Sequence, residues 1–254
     1  MTIKFLTDYP ALFISDKKIL VIADLHLGLE HDLYQSGIVI PPQAEKFQKT
    51  IEDLIKMTKA KTLVILGDLK HVVPGMSYME EKEIPKMLFN LVEKVEVILV
   101  KGNHDTFIER ILPKEVKVYS SRGLKIGKYG FFHGHAWPSK KLMSCDYLFF
   151  GHIHPVVEFR DKLGYRNIQR VWVRGKMREE LVRKKYKINK VGKLNVTIFP
   201  AFNIMFGGLA INKKADEELL GVLLTNQFVD IDNSKVYMFD GTLLGNVKKL
   251  RKLS

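Results

Sequence analysis

Apolar residues in the first 150 positions come in short unbroken runs, and the stretches between them carry helical spacing. "KILVIADLH" puts five apolar residues in a row before Asp24, a buried strand opening into a loop. "PPQAEKFQKTIEDLIKMTKA" starts on proline and spaces Ala44, Phe47, Ile51, Leu54 and Ile55 along one helical face. "TLVILGDLKH" is a second buried strand, "MEEKEIPKMLFNLVEK" a helix with Pro85 as a candidate break, and "VEVILVKGNHD" a third strand. This β-α-β-α-β order predicts an α/β layer with a partly parallel sheet. Later, "GLKIGKYGFFHGH", "DYLFFGHIHP", "VVEFRD", "RVWVRG" and "LNVTIFPAFN" follow with few helices between them, which predicts a more antiparallel arrangement. No repeat or long low-complexity linker interrupts the 254 residues, so one domain over 1–254 is expected.

Metal-ligand chemistry sits where the apolar runs stop. The runs end in Asp24-Leu25-His26, Gly67-Asp68, Gly102-Asn103-His104-Asp105, His133-Gly134-His135 and Gly151-His152-Ile153-His154. Ligands of open α/β sheets bind beyond the carboxyl ends of strands, so these loops can converge. Carboxylate, imidazole and amide donors together suit Mn²⁺, Fe²⁺ or Zn²⁺ better than Ca²⁺. A carboxylate can bridge two ions, and two ions about 3.5–4 Å apart can hold a phosphoryl group between them. The glycines before Asp68, Asn103 and His152 are read as sharp turns that admit the next side chain. Strand alternation would point His152 and His154 the same way, to meet one ion, two neighbouring ions, or none as ordinary polar residues at a strand exit. Each motif alone is a weak signal. Five in this order, each closing an apolar strand, point to a metal centre.

Charge adds a partner class. Lys and Arg number 41 against 28 Asp and Glu, a formal net charge of +13. Such a balance favours a polyanion such as nucleic acid, or an anionic membrane surface, although excess lysine also serves solubility. Residues 160–193 alone carry 13 Lys/Arg against Asp161, Glu179 and Glu180, a net of +10. That segment is either a solvated basic helix and loop or an electrostatic footprint for a phosphate backbone. The single cysteine, Cys145, allows no disulfide within the chain, which fits a reducing cytoplasm. No signal peptide is expected, and no apolar run approaches membrane-span length.

Taken together, D-x-H, G-D, G-N-H-D, H-G-H and G-H-x-H resemble the calcineurin-like metallophosphoesterases, strongly over about 19–155 and more loosely through "FPAFNIMFGG". "ILGDLKH" and "PAFN…GG" are similar to the SbcD-related group, which includes archaeal and ligase-associated phosphoesterases. The resemblance implies a two-sheet αββα sandwich with mixed sheets. It implies that Asp24, His26 and His154 hold one divalent ion, that Asn103, His133 and His152 hold a second, and that Asp68 bridges them. Mn²⁺ is the expected metal, with Fe, Zn, Ni or Co as alternatives. His104 is implied to stabilise the transition state or protonate the leaving oxygen, with Asp105 orienting it through a hydrogen bond. The implied reaction is phosphodiester hydrolysis by in-line attack of a metal-bridging hydroxide, on single-stranded or short DNA in repair or processing. The alternatives are a phosphatase or pyrophosphatase for a small nucleotide or sugar phosphate, and a scaffold without catalysis. A helicase or ligase partner is implied by resemblance alone.

Other residues are assigned by position. Lys70, His71 and His135 are candidate substrate contacts, and Phe202 with Asn203 candidate rim residues. His31 is expected on a loop surface. Cys145, Phe131, Phe132, Phe149 and Phe150 are expected in the core.

Overall fold

The computed structural model describes residues 2–213 and 220–252. Its first sheet contains β1 (Ile3–Phe5), β2 (Leu12–Ile14), β3 (Ile19–Ile22), β4 (Thr62–Ile65), β5 (Glu96–Val100) and β6 (Lys117–Tyr119), adjacent in that order. β1, β2 and β3 are antiparallel, and β3 to β6 run parallel. Helices α1 (Leu29–Gln35) and α2 (Ala44–Thr58) lie between β3 and β4, and α3 (Tyr78–Val92) lies between β4 and β5.

The second sheet draws on β7 (Leu124–Ile126), β8 (Tyr129–Phe131) and β9 (Tyr147–Phe150), then leaves for a separate hairpin of β10 (Val156–Arg160) and β11 (Arg166–Arg170). It resumes with β12 (Trp172–Lys176), α4 (Glu179–Tyr186), β13 (Asn195–Ile198), α5 (Gly221–Thr225), β14 (Lys235–Tyr237), β15 (Leu243–Asn246) and α6 (Val247–Leu250). Its order is β15-β14-β12-β13-β9-β8-β7. The expectation of a more antiparallel second half is met only at the sheet's flanks, because β8, β9 and β13 form a parallel centre.

Strand alternation sorts the apolar runs into three cores. Ile19, Val21, Val64, Ile98 and Val100 of the first sheet meet Tyr129, Phe131, Phe149 and Trp172 of the second. Leu20, Ile22, Leu63, Ile65, Val97 and Leu99 face the other way, onto Phe47, Ile51 and Leu54 of α2 and Ile84, Leu88 and Leu91 of α3. Leu148, Phe150, Val173 and Val196 face a third core under Leu142, Val182, Leu224 and Val247. Runs apolar at every position are therefore strands buried on both faces. The result is the αββα sandwich, with Cys145 and the four expected phenylalanines buried in it.

α3 runs unbroken through Pro85. Proline removes the hydrogen bond to the carbonyl of Glu81, which lies on the exposed side of the helix, while Ile84, Met87 and Leu88 stay packed. A capping box starts the helix: the Glu80 amide donates to Ser77 Oγ at 3.3 Å, and the Ser77 amide to Glu80 Oε2 at 2.6 Å. Among the described residues, no helix is long and apolar enough to cross a membrane.

Candidate metal centre

The parallel strands point their carboxyl ends at one place. β3 delivers Asp24 and His26, β4 Asp68, β5 Asn103 and His104, β8 His133, and β9 His152 and His154. One ligand atom each from Asp24, His26, Asp68 and His154 lies within 4.8 Å of the others, and the same holds for Asp68, His133 and His152. Asp68 belongs to both groups. Its Oδ2 stands 3.6 Å from His26 Nε2 on one side and 3.2 Å from His133 Nε2 on the other. Asp24 Oδ1 is 3.4 Å from His154 Nε2, and Asn103 Oδ1 is 3.1 Å from His133 Nε2.

Backbone carbonyls choose which ring nitrogens face inward. His133 Nδ1 donates to the Leu66 carbonyl at 2.7 Å, and His154 Nδ1 to that of Gly207 at 3.2 Å. Each bond leaves Nε2 turned into the cluster, the usual arrangement behind a metal-binding imidazole. Burial holds His26 down at about 2 and His152 at about 3, so both rings are neutral and keep lone pairs for a cation. Burial works the same way on His133, but the Asp68 carboxylate outweighs it and pushes that imidazole up to about 10. Burial would raise Asp68, yet the charge of His133 keeps it well below the usual carboxylate range. Two carboxylates, Asp24 and Asp68, are thus buried together and demand positive charge. A set of carboxylate, imidazole and amide donors that shares one acid between two groups fits divalent ions.

The ligand loops are not strand extensions. β9 stops at Phe150, and His152 and His154 take left-handed φ values of 73° and 43°. The expectation that strand alternation sets their direction is corrected, because neither residue is in the strand; His152 joins Asp68 and His133 while His154 joins Asp24 and His26, the split that the resemblance implied. Asp24 (57°), His26 (42°) and Asp68 (48°) are left-handed too, a conformation that costs non-glycine residues energy and clusters at functional sites. The glycines also act differently from the expectation. Gly67 does turn with φ 78°, but Gly102 and Gly151 lack positive φ. A Cβ on Gly102 would strike the Asp68 carboxylate, and one on Gly151 the Asp24 carboxylate. Their role is to let the backbone approach the acids.

His104 stands beside the first group, its ring centroid 4.8 Å from that of His26. Asp105 does not orient it. The Asp105 carboxylate is fully buried and accepts the amides of Leu69 (2.9 Å), Lys70 (3.3 Å) and Gly102 (2.8 Å). His104 Nδ1 instead donates to the His71 carbonyl at 2.5 Å. His71 stays at the site, its Nε2 3.0 Å from Asp32 Oδ2 and its Nδ1 3.4 Å from His26 Nδ1.

Two candidate substrate contacts are structural instead. The Lys70 side chain is buried, and its ammonium donates to the Val72 carbonyl. Asn203 is buried with Nδ2 donating to the Leu25 carbonyl at 3.0 Å and Oδ1 accepting the Met205 amide at 2.9 Å. Phe202 packs on Phe47 in the core and is not a rim residue. His135 lies beside the second group, its ring 5.2 Å from that of His133, with Nδ1 buried and without a hydrogen-bond partner. His31 sits on α1, bonded to Gln35 at 3.0 Å.

Sequence reasoning missed Phe206 and Glu80. Phe206 stacks on His26 with centroids 3.9 Å apart and planes 5° from parallel, and its only trace is the aromatic before Gly207-Gly208. Glu80 Oε1 accepts the amides of His71 and Val72, each at 2.8 Å, which holds the loop under His104. The Ser77-x-x-Glu80 pattern was the available signal.

The sequence profile of calcineurin-like phosphoesterases matches residues 17–145, just over half of the chain. No curated protein matches. Among solved structures, nuclease MPE of Pseudomonas putida aligns with a TM-score of 0.55 and 18% identity, covering 96% of this chain and 94% of its own. YfcE, a phosphoesterase of E. coli, aligns with a TM-score of 0.37 and 24% identity, covering 56% of this chain and 73% of its own.

Proposed function

Because the chain belongs to the calcineurin-like phosphoesterase family, we propose that it is a two-metal phosphodiesterase acting on nucleic acid, with single-stranded or short DNA as its substrate. The observation that carries this reading is Asp68, shared by two donor groups beside a histidine fixed by a backbone carbonyl. Asp24, His26 and His154 would hold one ion and Asn103, His133 and His152 the other, with Asp68 available to both. When bound, divalent ions, Mn²⁺ first among them, would supply charge neutralisation at the phosphoryl oxygens and lower the pKa of water towards neutral pH.

The chain's own groups do the rest. The carbonyls of Leu66 and Gly207 keep the Nε2 atoms of His133 and His154 pointing inward. The His71 carbonyl holds the Nδ1 proton of His104, so Nε2 is the nitrogen that meets substrate. As an imidazolium, His104 donates its Nε2 proton to the departing oxygen, a contribution of about 10²–10⁴ in rate. The net charge of +13 favours a polyanion over a small monoester. The nuclease named among the structural neighbours is compatible with this reading.

Cleavage of a labelled single-stranded oligonucleotide with Mn²⁺, followed across salt, tests the substrate. Cleavage that weakens steeply between about 50 and 200 mM salt is expected. Salt-independent preference for a small monoester would move the assignment to a phosphatase.

A further inference from the structure

β10 begins two residues after His154, so the hairpin it forms with β11 leaves straight from the metal centre. One face of the hairpin bears Val157 and Phe159, which pack on the outer core. The opposite face bears Glu158, Arg160, Arg166 and Ile168. Arg160 and Arg166 are direct cross-strand partners. Like charges facing each other destabilise a sheet, so the pair needs compensation.

Glu158 supplies it. Its Oε1 accepts Arg160 Nε at 2.9 Å and its Oε2 accepts Arg166 Nε at 2.6 Å. The carboxylate side chain is 5% exposed, while the two arginines are 58% and 57% exposed. Asn212 locks the strand from below, its Oδ1 accepting the Glu158 amide at 3.0 Å and its Nδ2 donating to the Glu158 carbonyl at 2.8 Å. Each guanidinium therefore spends one edge on a buried anchor and presents its outer N–H groups to solvent. Beside them stand Ile168 (47% exposed) and, at the tip, Tyr165 (72%) and Leu163 (95%).

Five other basic residues of the segment are committed differently. Arg174 lies over Phe5 and Tyr237, Arg170 over Phe239 and Lys185 over Trp137. Arg183 pairs with Glu179 and Arg178 with Asp230. The anchored pair on the hairpin stands apart from these.

We propose that the β10–β11 hairpin is a nucleic-acid-binding arm, in which Arg160 and Arg166 grip backbone phosphates and Tyr165 stacks on a base. The inference rests on the nucleic-acid reading above. Forked guanidinium groups match phosphate oxygens, and exposed aromatics beside cations are the usual platform for single strands. Arg160 lies four residues along β10 from Val156, about 13 Å of extended strand beyond the loop that carries His154, farther than a small diester at the metals spans.

The test uses metal-loaded protein and a labelled phosphorothioate oligonucleotide, which keeps its charge and resists cleavage. Binding is followed by anisotropy, and turnover of a small chromogenic diester serves as the control for folding. Arg160→Gln with Arg166→Gln is expected to weaken binding at least tenfold and to lower the slope of log affinity against log salt by about 1.4, for two phosphates on a single strand. Tyr165→Ala is expected to weaken it at least about fivefold. Diester turnover stays as in the parent. Unchanged affinity and slope in the double variant, with the parent binding, would overturn the arm and leave the nucleic-acid reading standing. A parent that binds no oligonucleotide would overturn both. If Leu163→Ser with Tyr165→Ser instead dissolves a dimer in sedimentation and leaves oligonucleotide affinity unchanged, the tip is a self-association surface and the arm is wrong.

Discussion

His104 donates from Nδ1 to the carbonyl oxygen of His71 at 2.5 Å, and that bond fixes which nitrogen faces the cleft. Asp105, the next residue, turns away and gathers three backbone amides. The two neighbours should therefore fail differently. His104→Ala is expected to lower kcat by about 10²–10⁴ while metal content stays at the parent level. Asp105→Ala leaves buried amides unpaired, at about 1–3 kcal/mol for each, so it should show first in thermal melting. Equal loss of metal in both variants would contradict the separation.

Asp68 stands in both donor groups, whereas the Asn103 amide oxygen lies 3.1 Å from His133 Nε2 of the second group. Counting bound metal by mass spectrometry should find Asp68→Ala depleted of both ions. Asn103→Ala should lose one and keep the other. An Asp68→Ala protein that retains two ions would break the assignment of that residue as the bridge.

The strands and the ligands were legible because both are local signals. An apolar run marks a strand buried on two faces, and the polar residues that stop it mark the loop beyond its carboxyl end. That was enough to bring the five motifs to one place, and the resemblance then implied which of their residues, Asp24, His26, Asp68, Asn103, His133, His152 and His154, are ligands. What stayed hidden depends on distant partners or on backbone handedness. Asn203 looked like a rim residue because its partner, the Leu25 carbonyl, lies 178 positions away. Lys70 looked free because nothing in its neighbourhood of sequence says that its ammonium folds back under the loop. The left-handed turns at His152 and His154, which carry the split between two groups that the resemblance implied, are announced by no run of hydrophobicity.

Asn203 joins the Asp24–His26 loop to the segment carrying Phe206, since it bonds both the Leu25 carbonyl and the Met205 amide. Asn203→Ala strands the buried Leu25 carbonyl and the half-buried Met205 amide and should cost about 1–3 kcal/mol of stability. Chemical denaturation measures that loss. KM for a small diester should stay at the parent value in metal-saturated protein. A large rise in KM with unchanged stability would return Asn203 to the substrate.

Three weak acids, Cys145 and Tyr129 buried and Tyr186 half-buried, keep their protons in the folded chain. Burial raises the Cys145 thiol to about 11 and the Tyr186 phenol to about 12, and burial together with Asp16 raises Tyr129 further. The unfolded chain loses these protons first, near pH 8.5 for the thiol and about 10 for the phenols. Their contribution to stability is thus whole below those values and is lost as pH rises through the folded ones. The melting temperature should hold to about pH 8.5 and fall progressively above it, with the Cys145 thiol silent to reagents in the native state. A flat melting temperature up to pH 11 would contradict the shifts.

The most direct measurement is Mn²⁺-dependent hydrolysis of a chromogenic phosphodiester beside its monoester, with His104→Ala in parallel. Faster turnover of the diester, dependent on metal and nearly abolished in the variant, is the predicted result. Preference for the monoester, or equal activity in His104→Ala, would contradict the account.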